Sequence, residues 1–250
     1  MCGIAGTVAL RDCLSPPDLD AVIAMAGALR HRGPDEFGVY RDARAALAHA
    51  RLSIIDLATG QQPLSNEDGT LWIVFNGEIF NYLELRAELV ALGHRFRTRS
   101  DTEVIVHAWE AWGEDAFARF NGQFALALWD AHREELVLAR DPLGVRPLYV
   151  CEHDGRLLFA SEVKAIFAAE PSIPRALDPA GLAETFTFWT PVPPRSAFVG
   201  IAEVEPGHVR RIGRDGVRDR AFWTPRYPCD PGEGFRGSLD EAVVRVREAL

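Results

Sequence analysis

The sequence predicts an α+β fold with mainly antiparallel sheets. Many short apolar runs adjoin turn residues, which is typical of strands joined by tight turns. Helical periodicity appears separately, at a few separated points along the chain. With 48% hydrophobic and 10% aromatic residues, the chain has ample material for a core. Strands in this number, with helices set apart from them, indicate an α+β domain.

Seven apolar runs are the predicted strands. They cover residues 4–10, 45–50, 71–75, 123–129, 136–139, 147–151 and 157–160. Asp154 and Gly155 separate the last two runs, and this pair predicts a hairpin with a type I′ turn.

Three helices are predicted in the first 112 residues. The first follows a capping-box-like start at residues 15–18. Its apolar face repeats at helical spacing, through Leu19, Val22, Ile23, Ala26 and Leu29. A second helix covers residues 82–92, and a third begins with a capping box at residues 100–103.

The last third of the chain differs in composition. Residues 189–196 and 227–238 are rich in proline and glycine, and the second segment predicts a linker. Ser238 and Glu241 then form a capping box before an amphipathic helix. That helix either folds back onto the preceding domain or begins a second domain, and we favour the second interpretation.

Length, charge and cysteine usage limit the function classes. A chain of 250 residues allows one large domain, or one domain and a fragment of another. The net charge of −9 argues against a nucleic-acid or anionic-membrane partner, and we find neither a signal peptide nor an apolar membrane span. The four cysteines (Cys2, Cys13, Cys151 and Cys229) lie far apart without a C-x-x-C pair. We therefore expect no metal site and no disulfide framework in a reduced, cytoplasmic protein.

Cys2 directly follows the initiator methionine. Removal of Met1 would leave Cys2 with a free α-amine beside its thiol. An N-terminal amine can act as the base that activates a nucleophile in the same residue. The alternative is a buried cysteine on the first strand, and this alternative is favoured for an arbitrary cysteine at position 2.

Polar residues at strand and helix ends supply the other candidates. Arg51 lies in an otherwise apolar run and needs an anion, which is either a substrate carboxylate or a protein carboxylate. Asn76 and Gly77 follow a predicted strand and either form an oxyanion hole or a plain turn. Asp101 begins a predicted helix, where it either complements the helix dipole or accepts a substrate ammonium group.

The order of these segments resembles the asparagine synthetase (glutamine-hydrolysing) family, a branch of the amidotransferases that use an N-terminal cysteine. The matching motifs are MCGI at 1–4, HRGPD at 31–35, RLSIID at 51–56, QPL at 62–64, NGEIFNY at 76–82, SDTE at 100–103, FNGQFA at 120–125, RDPLGVRPLY at 140–149 and FASEVK at 159–164. Each motif is weak alone, but together and in this order they are highly specific.

The resemblance implies a fold, a site and partners. The implied fold is a four-layer N-terminal-nucleophile sandwich, with two mainly antiparallel sheets between helix layers. The implied catalytic residues are Cys2, Asn76 and Gly77. The implied glutamine-binding residues are Arg51, Leu52, Ser53, Ile54, Ile55, Asn76, Gly77, Glu78 and Asp101. Arg51 would bind the α-carboxylate, and Glu78 and Asp101 would lie beside the α-ammonium.

The resemblance also implies a domain organisation. Residues 1–226 would form the glutaminase domain, 227–237 a linker, and 238–250 the first helix of a truncated synthetase domain. That second domain would use ATP and Mg²⁺ to activate aspartate, so this chain itself would need no cofactor. A homodimer is a further expectation. Two alternatives stay open: the glutaminase half of an amide ligase with another acceptor, and a non-catalytic module of the same fold.

Overall fold

Two antiparallel sheets form the centre of the molecule. The computed structural model describes residues 1–10, 15–227, 229 and 234–249. Its strands are β1 (Gly3–Ala9), β2 (Glu36–Arg41), β3 (Ala45–Arg51), β4 (Leu64–Ser65), β5 (Leu71–Ile79), β6 (Gly122–Asp130), β7 (Glu135–Arg140), β8 (Tyr149–His153), β9 (Arg156–Ala160), β10 (Ile201–Glu203), β11 (His208–Gly213) and β12 (Gly216–Ala221). The first sheet has the order β10-β8-β9-β1-β3-β2, and the second has the order β12-β11-β7-β6-β5-β4.

The helices are α1 (Leu19–Ala28), α2 (Tyr82–Ala91), α3 (Asp101–Trp112), α4 (Val163–Ala169), α5 (Pro179–Phe188) and α6 (Leu239–Ala249), with a 3₁₀ segment at Gly113–Arg119. Helices α1 and α4 cover the outer face of the first sheet, and α2 and α3 cover that of the second. Met25 of α1 and Ile166 of α4 pack in one cluster with the first sheet. Leu89 of α2 and Ile105 of α3 pack in another cluster with the second sheet.

The central core lies between the sheets. Ile4 and Phe159 of the first sheet share one apolar cluster with Val74 and Trp129 of the second. These four side chains are almost completely excluded from solvent, and burial of this kind is the main favourable term in folding. The layers therefore run helix, sheet, sheet, helix, and the predicted α+β sandwich is confirmed.

The seven predicted strands are all present, with small shifts at their ends. The predicted hairpin is β8–β9, and its turn residues Asp154 and Gly155 have φ values of 44° and 70°, as a type I′ turn requires. At the N-terminus of α3, Ser100 accepts a hydrogen bond from the N–H of Thr102, but Glu103 bonds to the segment before the helix instead of returning to Ser100. Only half of that predicted capping box therefore forms.

Sequence analysis missed several elements because their apolar residues face outward or are few. On the edge strand β2, Phe37 and Val39 are 48% and 39% exposed. Strands β11 and β12 contain several charged residues that lie opposite each other, such as Arg210 and Asp219, which form an ion pair. Helix α5 buries only Gly181, and its apolar side chains, such as Phe186 at 87% exposed, face outward.

The helix at the end of the described chain has the predicted capping box. The N–H of Ser238 donates to Glu241 Oε2 at 2.7 Å, and the N–H of Glu241 donates to Ser238 Oγ at 3.3 Å. None of the described residues of α6 is buried. Cys13, Leu250 and part of the predicted linker lie outside the described residues. Within the described ranges, no helix has the length and apolar character of a membrane span.

Candidate active site

Cys2 lies at the start of β1, the strand between β3 and β9 in the first sheet. Its Sγ lies 3.4 Å from the N–H nitrogen of Leu52 and 3.5 Å from the Leu52 carbonyl oxygen. Ser161 fixes the strand two residues after Cys2, because its Oγ accepts from the N–H of Ile4 at 3.0 Å. β1 and β3 both contact β5 of the second sheet, so the thiol faces the segment that carries Asn76.

Arg32 holds the backbone of Cys2 in place. Its Nε donates to the Cys2 carbonyl oxygen at 2.9 Å, and its Nη1 binds Glu162 at 2.9 Å. Glu162 also binds His31 at 2.8 Å and Lys164 at 3.0 Å. These residues lie in the motifs at 31–35 and 159–164, but neither motif indicates a link to Cys2. A contact across about 130 residues leaves no local sequence signal.

Burial controls the acidity of the thiol. It raises the pKa of Cys2 above its ordinary value, although the Leu52 N–H, the chain's terminal ammonium group and Arg51 each act in the opposite direction. A thiol with a raised pKa stays protonated near neutral pH. Cys2 therefore needs a base before it can act as a nucleophile.

Strand β5 presents an open edge beside this thiol. The N–H and C=O of Phe124, the β6 residue opposite Gly77, both bond to Asp141 on the far side of β6. Two residues that lie opposite each other in an antiparallel pair either both direct their N–H and C=O groups toward the other strand or both direct them away from it. Because Phe124 directs its groups away from β5, Gly77 directs its own N–H and C=O away from β6. Phe75 and Ile79, two residues away on either side, donate in that same direction to Gln62 and Asp101. The N–H of Gly77 thus lies at the cavity between these two bonds.

Gly77 must be a glycine at this position. A Cβ there would collide with the carbonyl oxygen of Gln123 and with Phe124. The sequence alternative, a plain Asn-Gly turn, does not apply, because both residues lie inside the nine-residue strand β5.

The side chain of Asn76 is buried without a hydrogen bond. The residue is 1% exposed, and neither its Oδ1 nor its Nδ2 has a hydrogen-bond partner among the described residues. A buried amide without a partner costs about 1–3 kcal/mol. Asn76 lines the same cavity as Cys2, so the cavity contains an amide donor that a ligand can satisfy.

Arg51 is buried at the end of β3. Its Nη1 binds Glu36 at 2.7 Å, and its Nη2 donates to the carbonyl oxygens of Ile55 and Asp56 at 3.3 and 2.6 Å. The ion pair with a protein carboxylate, one of the two alternatives for Arg51, is therefore present. A guanidinium has five N–H donors, so these bonds leave capacity for a second anion in the cavity that Arg51 lines.

Asp101 is the first residue of α3, and its carboxylate is directed to the cavity rather than acting as the helix cap. Oδ2 accepts from the N–H of Ile79 at 3.1 Å, and Ser100 is the capping residue. Burial raises the pKa of Asp101 from an ordinary value of 3.8 to about 6, although backbone N–H groups act against that rise, and the nearby Glu78 adds to it. A buried carboxylate that is costly to ionise is a suitable partner for a cation.

Replacing Asp101 with asparagine is expected to stabilise the fold at pH 8. Because the folded-state pKa is raised, the folded state binds the proton more tightly, and ionisation above pH 6 costs on the order of 3 kcal/mol. The helix N-terminus favours the anion by only about 0.3–1 kcal/mol. In urea unfolding, the Asp101→Asn variant should have a higher free energy of unfolding than the wild type at pH 8. At pH 4 the two proteins should have the same free energy of unfolding.

Asp56 provides the matched control for this pH effect. Hydrogen bonds from the Thr59 hydroxyl and from backbone N–H groups lower the pKa of Asp56. Asp56→Asn should therefore have a lower free energy of unfolding than the wild type at neutral pH, and this difference should shrink as the pH falls. If Asp101→Asn follows that same pattern, our account of the buried carboxylate is wrong.

Most of the predicted site residues line one cavity. It has a volume of about 70 Å³ and is lined by Met1, Cys2, Arg51, Leu52, Ile54, Ile55, Gly60, Gln62, Phe75, Asn76, Gly77, Glu78, Asp101, Thr102 and Arg146. Ser53 lies outside this lining, and its N–H binds Asp35 at 2.8 Å. The substrate-binding role of Ser53 stays a prediction, as do the roles of the residues that line the cavity.

Sequence analysis assigned no role to Gln62 or Arg146, although both lie in motifs that it identified. Gln62 accepts from the N–H of Phe75 at 2.7 Å and donates to Thr102 Oγ1 at 3.2 Å, so it connects β5 with α3. Arg146 lies at the mouth of the cavity, where its guanidinium contacts the Met1 sulfur. Met1 itself occupies part of the space beside Cys2.

A family model described as a glutamine amidotransferase domain matches residues 1–223. The chain belongs to this family. The amidotransferase domain is also 36% identical over 250 residues to asparagine synthetase [glutamine-hydrolyzing] 3 of Bacillus subtilis, covering 99% of the chain and 40% of that relative. It is 39% identical to asparagine synthetase [glutamine-hydrolyzing] 1 of the same organism, covering all of the chain and 39% of the relative. The chain thus spans about 40% of the length of these relatives.

Solved structures confirm the fold of the amidotransferase domain. The glutamine phosphoribosylpyrophosphate amidotransferase of B. subtilis superposes with a TM-score of 0.65 at 22% identity, over 90% of this chain and 50% of that one. A second structure, described as the allosteric regulatory enzyme of purine biosynthesis, gives the same TM-score at 21% identity. The expected four-layer sandwich, with two antiparallel sheets between helix layers, is therefore confirmed as the fold. The family match and the curated relatives make it the domain of an enzyme.

Proposed function

We propose that this domain hydrolyses glutamine to glutamate and ammonia through a thioester on Cys2. The single observation that carries the proposal is the convergence of a half-buried thiol, a buried amide without a partner and an outward backbone N–H on one cavity. The Cys2 sulfur forms a bond to the side-chain amide carbon of glutamine, and its proton passes to the base. The same proton then goes to the leaving nitrogen, which departs as ammonia. Water hydrolyses the γ-glutamyl thioester and restores the thiol.

The base is the α-amine of Cys2 after Met1 has been removed. Burial holds the pKa of the thiol high, so the thiol does not ionise unaided. An α-amine titrates near 7.7–8.0 and is half neutral close to physiological pH. Among the described side chains that line the cavity there is no histidine to take the proton instead.

Gly77 and Asn76 form the oxyanion hole of this mechanism. When sulfur attacks, negative charge develops on the amide oxygen of the substrate. An N–H group and an amide donor that already face the cavity stabilise that charge without reorganisation. Asn76 satisfies its buried amide in the same step, which explains why a polar group is kept in an otherwise costly position.

The two charged groups of glutamine bind to charged side chains that line the cavity. Arg51 binds the α-carboxylate with the donors that Glu36 and the backbone do not use, and Leu52, Ile54 and Ile55 line the aliphatic part. Asp101 and Glu78 accept the α-ammonium. A cation between these carboxylates would relieve the repulsion and burial that now disfavour ionisation of Asp101.

The ammonia is used, in this proposal, by a second domain that follows in the same polypeptide. Residues 1–226 are then the glutaminase domain, 227–237 the linker and 238–250 the first synthetase helix. The similarity to glutamine-hydrolysing asparagine synthetases supports this view, as does α6, none of whose described residues is buried. ATP and Mg²⁺ would act in that second domain, with aspartate as the acceptor. An acceptor other than aspartate is the second candidate, because acceptor recognition lies outside this chain. A cytoplasmic location and a homodimer stay predictions.

Intact-mass measurement tests the role of the α-amine. We expect active protein to lack Met1, because Met1 blocks the amine and occupies the cavity. Protein produced with and without a co-expressed methionine aminopeptidase gives matched samples, and glutamate release measures their activity. Full glutaminase activity in a sample that retains Met1 would exclude the α-amine as base.

A further inference from the structure

Three potential ligand atoms meet at one point away from the candidate active site. His94 Nδ1 lies 3.2 Å from His107 Nδ1, which lies 2.9 Å from Glu110 Oε2. The third side of this triangle, from His94 Nδ1 to Glu110 Oε2, is 3.5 Å. None of the three residues lines the cavity around Cys2. The cluster therefore needs its own explanation.

The fold holds these ligands in position. His107 and Glu110 are three residues apart on α3 and so share one face of the helix. His94 follows α2, where its N–H bonds to the Leu89 carbonyl oxygen at 3.0 Å. The His107 side chain is buried, whereas those of His94 and Glu110 are 20% and 26% exposed. The cluster is thus fixed from the inside and reachable from solvent.

A second layer of side chains supports the cluster. Asn66 donates from Nδ2 to Glu110 Oε1 at 2.9 Å, which leaves Oε2 for the central point. Glu103 lies behind His107, with its Oε1 3.7 Å from Nε2. Glu103 is itself fixed by the N–H groups of Arg97 and Thr98, both at 2.7 Å. Carboxylates behind metal-binding histidines, and hydrogen bonds to metal-binding carboxylates, are usual in metal sites.

We propose that His94, His107 and Glu110 bind a zinc ion, with a fourth position open to water. Zinc prefers tetrahedral nitrogen and oxygen ligands at about 2.0–2.1 Å, which places any two ligand atoms about 3.3–3.4 Å apart. The three observed separations lie on either side of that value. The site differs from our sequence-based expectation of no metal site, and it does not depend on the proposed glutaminase activity.

A proton is the competing occupant of this site. His107 Nδ1 and Glu110 Oε2 lie 2.9 Å apart, so a proton held between them makes one hydrogen bond. That proton joins His107 to Glu110, but His94 Nδ1 can then only share it, at 3.2 Å from His107 Nδ1. A divalent cation satisfies all three atoms at once.

Zinc titration of the full chain, with Co²⁺ as a spectroscopic probe, tests the proposal. We expect one Zn²⁺ per chain, visible absorption typical of tetrahedral Co²⁺, and a melting temperature that rises with zinc concentration. His94→Ala and Glu110→Gln should each weaken zinc binding by more than about 100-fold. Asn66→Ala should weaken it by about 10–100-fold, as is usual for an outer partner. These three positions avoid the buried His107, whose loss endangers the fold.

Two controls separate this site from other zinc ligands. His153 is another partly exposed histidine beside a carboxylate, that of Asp154 at 3.5 Å, and His153→Ala should bind zinc like the wild type. Cys2→Ala removes the active-site thiol and should also leave zinc binding unchanged. The proposal is overturned if zinc does not bind. It is also overturned if binding survives both His94→Ala and Glu110→Gln, or if it disappears in Cys2→Ala.

Discussion

Replacing Cys2 with alanine is expected to abolish glutamine hydrolysis and to leave a cooperative unfolding transition. The sulfur forms the covalent bond in the proposed mechanism, and loss of a catalytic nucleophile lowers kcat by on the order of 10⁶. Its structural contacts are few: Sγ lies 3.4–3.5 Å from the Leu52 backbone, and the residue is only half-buried. The free energy of unfolding should fall by about 1 kcal/mol. Glutamate release and thermal denaturation measure the two effects.

Cysteine positions elsewhere in the chain provide the controls. Cys151 is buried in β8 and Cys229 is exposed, and alanine at either position should keep the glutaminase activity. Cys2→Ser preserves the size and hydrogen bonding of the side chain but offers a poorer nucleophile at the same α-amine. If Cys2→Ser restores full activity, sulfur is not essential. If Cys2→Ala unfolds and Cys2→Ser does not, the residue is structural.

The strands that form the core were predictable because each contributes an apolar run. β1, β3, β6 and β9 are buried on both faces, so each contains a continuous run of mainly apolar residues. β2 could not be found in this way, because its alternate residues face solvent and its apolar ones are exposed. Edge strands obtain their place from a neighbouring strand rather than from their own burial.

The residues of the candidate site could be predicted from the sequence, but their spatial arrangement could not. The motifs identified Cys2, Asn76 and Asp101, yet no spacing indicates that Phe124 bonds away from β5 and so turns the N–H of Gly77 to the cavity. Arg32 and Glu162 act on Cys2 across large sequence separations, and the β1–β9 pairing together with the contact between α1 and α4 brings them together. The cluster of His94, His107 and Glu110 has no linear motif, because the turn after α2 places His94 beside α3.

Replacing Asn76 with alanine is expected to lower kcat by about 10²–10³ without lowering stability. One lost oxyanion donor costs about 2.7–4 kcal/mol in the transition state. KM should change little, because the charge that Asn76 stabilises develops only as sulfur attacks. Arg51→Ala should instead raise KM strongly, because Arg51 is proposed to bind the carboxylate of glutamine in the ground state as well as in the transition state. Steady-state kinetics of both variants measure this contrast.

Stability distinguishes a functional Asn76 from a structural one. In the wild type both side-chain atoms are buried without a partner among the described residues, so alanine removes an unsatisfied polar group and should keep or raise the free energy of unfolding. Asn66 is the matched control. It is 5% exposed and fully bonded, to Thr70, Leu71 and Glu110, so Asn66→Ala should cost about 1–3 kcal/mol and leave kcat unchanged. An Asn76→Ala enzyme with wild-type kcat, or one destabilised as much as Asn66→Ala, would remove Asn76 from the oxyanion hole and leave Gly77 as its only proposed donor.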